Sequence, residues 1–157
     1  MNTNHSAIIK DAVLKLDKEF DVLRQFIVLL TSEQQSLLNN DTENLMTLSE
    51  SKMQAASQLI EMGDSRRKAL LANSAESMET WLARHAPDSL ALWSEIRKLA
   101  AQAQHLNSTN GELINSRLQH NQQALNVLHA ASKTTASLYG PDGQANLNSS
   151  GRHLGSG

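Results

Sequence analysis

The side chains that could bind a metal or move protons are six histidines and sixteen carboxylates; cysteine is absent. The histidines are His5, His85, His105, His120, His129 and His153. No two of them lie three or four residues apart, so none makes the pair on one helix face that a zinc site uses. Exposed helix histidines are the simpler expectation, and only tertiary folding could bring two together. Glu76 and Glu79 stand one helical turn apart, which suits an acid/base pair but equally a solvated face. Without cysteine there is no thiol nucleophile, thiolate ligand or disulfide. No glycine-rich phosphate loop and no nucleophile elbow occurs. The expectation is a protein that is not an enzyme and needs no cofactor and no metal, which turns attention to surfaces that hold another protein.

Bulk properties narrow those surfaces. The chain has 157 residues, the size of one domain, with 39% hydrophobic and 19% charged residues. Aromatics are only 3% and prolines number 2. Chains so poor in aromatics and breakers favour helix, since straight-chain residues lose little rotamer freedom there. A net charge of −2 and a pI near 6.3 argue against nucleic-acid binding and against attraction to anionic lipid. The residues from Met1 to Ser6 show no basic start to a secretion signal, and no apolar run nears the roughly 20 residues that span a membrane. A cytoplasmic location is expected.

The helices must do the positioning. Ile9, Val13, Leu16, Phe20, Leu23, Ile27, Leu30 and Leu37 fall on alternating steps of four and three, with Gln34 in the one polar slot. Val22, Phe26, Leu29 and Leu38 widen the stripe. The spacing predicts a helix over 6–38. Asn39-Asn40-Asp41-Thr42 is the break, with Asn suited to a left-handed helix end and Asp41 or Thr42 to a cap. So short a connection implies an antiparallel neighbour. That neighbour spans 42–71 on Leu45, Leu48, Ala55, Leu59, Met62 and Leu70. Lys52 and Arg66 occupy slots where an apolar residue could sit; long basic side chains there are expected to lay down their stems and keep their charge wet. A short helix capped by Ser74 and bearing Met78, Trp81 and Leu82 should end at Ala86, before Pro87. Trp81 and Trp93 are expected to close the core there, with peptide binding as the alternative.

A long third helix over 89–137 follows, with Asp88 or Ser89 as its cap. Leu92, Ile96, Leu99, Ala103, Leu106, Asn110 and Leu113 keep the heptad. The rhythm slips through Ile114 and Leu118 and resumes through Asn121, Leu125, Leu128 and Ser132. Gly111 at the slip is a candidate bend. Between Lys98 and Lys133 the only charges are Glu112 and Arg117. A solvated helix normally carries mixed charges, as the first does with Lys15, Asp17, Lys18, Glu19, Asp21 and Arg24. A weakly charged helix with a thin leucine stripe reads as one that expects cover. Leu113, Ile114, Leu118, Leu125 and Leu128 have the spacing of anchors for a partner helix, though each could equally pack on the first two helices. The expected fold is all-α: an elongated antiparallel hairpin or bundle of three long helices with coiled-coil-like packing, one domain over 1–143 and a disordered Gly/Ser/Asn-rich tail over 144–157.

The run Leu29-Leu30-Thr-Ser-Glu33-Gln-Gln-Ser-Leu37-Leu38-Asn-Asn-Asp41-Thr-Glu43-Asn-Leu45-Met-Thr-Leu48-Ser-Glu50-Ser-Lys52 resembles the flagellar export chaperone family called FlgN. Arg66-Arg67-Lys68-Ala-Leu70-Leu71, Asn110-Gly111-Glu-Leu113-Ile114 and Leu138-Tyr139-Gly140-Pro-Asp-Gly143-Gln144 extend the resemblance over roughly 20–145. It implies a cytoplasmic chaperone for hook–filament junction proteins of the FlgK and FlgL types. Such a chaperone keeps its clients soluble and delivers them to the flagellar type III export gate. It implies a client site on about Leu113 to Ser137 and gate docking at Leu138 and Tyr139. A monomer or weak dimer is expected. The alternative from another class is a structural coiled-coil scaffold that works by self-association.

Overall fold

The computed structural model describes residues 2–73 and 76–138, and these are helical almost throughout, with no strand among them. Four α-helices and one 3-10 turn follow in order: α1 (Asn2–Asn39), α2 (Thr42–Asn73), α3 (Met78–His85), the turn Pro87–Ser89, and α4 (Leu90–Leu138). The expected tail and Tyr139 lie outside the described residues. Two compact units divide the chain, Met1–Ile114 and Asn115–Gly157. Among the described residues no helix is long and apolar enough to cross a membrane.

The breaks follow from local chemistry. Asn40 takes φ 60°, the left-handed conformation that Asn tolerates at a helix end. Asp41 then caps α2, its Oδ1 accepting from the Asn44 amide at 3.1 Å. The cap of α3 is Ser77 rather than Ser74: its hydroxyl accepts from the Thr80 amide at 3.2 Å. Ser74 itself lies outside the described residues. Pro87 ends α3 as expected, and Pro87–Ser89 form a single tight turn before α4 begins. α1, α2 and α4 each end slightly beyond the expected bounds, α1 also begins earlier, and α4 passes through Gly111 without interruption. A Cβ added at Gly111 meets nothing within 4 Å. Gly111→Ala is therefore expected to raise stability by about 1 kcal/mol, read as a higher urea midpoint, because alanine removes backbone freedom at no steric cost.

The core belongs to the first unit. Leu16, Leu23 and Leu30 of α1, at seven-residue spacing, pack with Met78, Trp81 and Leu82 of α3 and Ile96 and Ala103 of α4. The heptad stripe thus does what its period requires, burying one line of α1. Leu38, expected to widen that stripe, is instead 60% exposed, while Leu37 beside it is buried.

Candidate functional site

Two polar layers tie α1, α2 and α4 together within the first unit. In one, Arg66 of α2 donates from both Nε and a terminal nitrogen to the two carboxylate oxygens of Glu19, at 2.9 and 3.1 Å. The same guanidinium lies over the Trp93 ring of α4, 4.6 Å from its centroid. In the other, Lys52 Nζ donates to both oxygens of Glu33, at 2.9 and 3.1 Å. Asn110 of α4 donates from Nδ2 to Glu33 at 2.7 Å and to the Leu30 carbonyl at 2.8 Å.

These pairs correct the expectation that Lys52 and Arg66 keep their charges wet. The Glu33 and Glu19 side chains are only 6% and 10% exposed, and their basic partners only 25% and 22%. Glu19, counted among the surface charges of α1, is a core residue. Sequence reasoning missed both layers because each carboxylate sits beside the heptad stripe, at a position periodicity assigns to solvent. The signal that could have found them is reciprocal: each misplaced cation on α2 has a carboxylate on α1 such that the residue numbers move in opposite directions, 19 with 66 and 33 with 52. Asn110 fills a heptad slot and is fully buried, with Oδ1 unpartnered. A buried asparagine at such a slot holds register at some loss of stability.

Every charge in the two layers is matched by a partner within the same layer. Beside Glu19 and Arg66 lies a groove of about 340 Å³ whose walls are mainly apolar, among them Ala12, Leu16, Met62, Leu70 and Trp81. The rings of His5 and His85 meet edge-on at 5.1 Å, a tertiary pair of the kind spacing alone does not give. Among the described residues no group of three or more His, Asp or Glu assembles that could hold a metal ion.

The residues expected to hold a partner protein lie on α4. Leu113 is half-buried and Ile114 is 37% exposed, both in the first unit. In the second unit Leu118 is 62% exposed, Leu125 51% and Leu128 65%, and every residue over 118–135 is exposed. Val127, 68% exposed, adds an apolar side chain that the heptad reading did not include. Within the first unit, Ile96, Ala103, Asn110 and Ile114 share one line of α4, buried as far as Asn110. Within the second, Leu118, Leu125 and Leu128 fall on one line of the helix, and all three are exposed. Leu138 ends α4.

Comparison with known proteins adds one match. The family model described as FlgN protein matches residues 8–147. None of the curated proteins matches, and none of the solved structures does.

Proposed function

The chain belongs to the FlgN protein family, a family of flagellar export chaperones, and from that premise we propose that it holds hook–filament junction proteins of the FlgK and FlgL types with the far half of α4. The supporting observation is the exposed leucine line over 118–135, on a stretch whose polar positions are almost all uncharged. Leu113 and Ile114 begin the contact; Leu118, Leu125 and Leu128 are its anchors. An unpartnered apolar stripe on a helix is what a second amphipathic helix covers, with anchors at i, i+4 and i+7. The client's terminal segment folds as a helix on this surface. It loses chain entropy on binding, which holds affinity at a level compatible with later release.

In this proposal the first unit is a scaffold. α1 and α2 form an antiparallel hairpin, a reading supported by the pairing of 19 with 66 and 33 with 52. The protein works in the cytoplasm, as a monomer or weak dimer, and passes its client to the cytoplasmic domain of the export gate. Light scattering on the protein mixed with a junction protein is expected to give a 1:1 complex. A stable oligomer of the chain alone, unchanged by the client, would favour the self-associating scaffold instead.

Gate docking is assigned to Leu138 and Tyr139, just past the client surface. Tyr139→Ala is expected to leave co-purification with the junction protein intact and to weaken binding to the gate's cytoplasmic domain. Surface plasmon resonance against that domain is the measurement, and equal binding by the variant removes this role.

A further inference from the structure

α2 turns one face inward through Leu48, Ala55, Leu59 and Met62, all partly buried. The opposite face of a helix so placed is normally polar. Here Met46, Met53 and Ile60 recur on it every seven residues and are 79%, 66% and 64% exposed. A single exposed apolar side chain carries no meaning. Three in line at the two-turn spacing by which helices pair form an unpartnered seam. Methionine suits such a seam, since its flexible thioether adapts to a partner's shape.

The borders of the seam indicate its partner. Helical geometry places Glu43, Glu50 and Glu61 along one edge. All three are exposed, and no ion pair joins their side chains to a described residue. The basic residues of α2 offer only partial balance: Lys52 and Arg66 are engaged inside, Arg67 pairs with Asp64, and Lys68, seven residues after Glu61, is a single cation at the far end of the glutamate edge, where Leu71, 75% exposed, extends the seam. We infer that this seam docks an amphipathic helix of a second protein, one that carries Lys or Arg along one flank of its apolar stripe. A second copy of the chain is a poor occupant. Antiparallel pairing centred on Met53 sets Glu43 of one copy beside Glu61 of the other, and like charges so placed repel. Parallel pairing sets the glutamate edge of each copy against the other edge of its partner, around Ser49 and Ala56, which supplies no charge to match it. The seam lies in the first unit and does not depend on the client surface of α4.

The test uses the full chain labelled with 13C at its methionine methyl groups. Two designed three-heptad peptides share one leucine stripe; one has lysine flanks and the other glutamate flanks. The Met46 and Met53 signals are expected to shift saturably with the lysine peptide, while Met78, buried in the core, stays in place and reports an intact fold. The glutamate peptide should bind at least tenfold more weakly, and Glu50→Lys should narrow or reverse that preference. Ile60→Glu, a change at an exposed position, should abolish the shifts. Absence of a saturable shift overturns the inference, as does equal binding of the two peptides. So do Met46 and Met53 signals that move with the protein's own concentration before any peptide is added, since that identifies a second copy as the occupant.

Discussion

Arg66→Ala is expected to destabilise the protein by about 3 kcal/mol, measured as the change in urea-unfolding free energy by circular dichroism. The substitution strands the Glu19 carboxylate, 10% exposed, with both oxygens unmatched, and removes the cation from the Trp93 ring. A buried carboxylate without its partner loses hydration that nothing replaces. The contrast is Lys15, whose pair with Asp11 spans two side chains more than half exposed. Lys15→Ala should cost less than about 1 kcal/mol, since water solvates either charge as well as the other does. Replacing both partners, Glu19→Leu with Arg66→Met, should recover most of the loss, because the penalty lies in the orphaned charge rather than in the missing bond. A single-variant loss under about 1 kcal/mol would mean that the Glu19–Arg66 pair behaves as a surface pair.

Leu125→Asp combined with Leu128→Asp is expected to weaken binding to a hook–filament junction protein at least about 100-fold, since a central anchor contributes about 2 kcal/mol or more. Both side chains are more than half exposed, so the helix loses almost no burial when they change, and circular dichroism should stay near that of the parent protein. Val127, nearly opposite on the helix, is the internal control: Val127→Asp should bind as the parent does. Isothermal titration calorimetry reads all three proteins. Undiminished affinity in the double variant would remove these leucines from the client site.

The long periods of this protein were legible in its sequence, and the exceptions to them were not. Leu16, Leu23 and Leu30 are buried as their heptad spacing demands, and Asn40, Asp41 and Pro87 break the helices where their backbone chemistry dictates. Periodicity failed at Glu19 and Glu33, because a charge beside an apolar stripe looks solvated until the opposing cation is placed. It failed again at Leu38, where a leucine in the stripe's margin faces water near the end of α1. The exposed seam of Met46, Met53 and Ile60 was hidden for a related reason. α2 carries apolar residues on two faces, and a one-dimensional pattern cannot tell which of them the core takes. The chain's resemblance to its family rests partly on Glu33, Lys52 and Arg66, three residues that hold the scaffold together. The proposed client surface, by contrast, stands out through the scarcity of charge after Lys98, a property of composition that selects a stretch of helix without selecting its contacts.

Hydrogen exchange of the full-length protein, with and without a junction-protein client, tests most directly whether the far half of α4 holds the client. Backbone amides of a helix whose side chains are all exposed open readily, and covering the helix suppresses that opening. Client binding is predicted to slow exchange at least tenfold over 115–135 and to leave α1 and α2 within error of the free protein. Protection confined to α1 and α2, with 115–135 exchanging as freely as before, would contradict it.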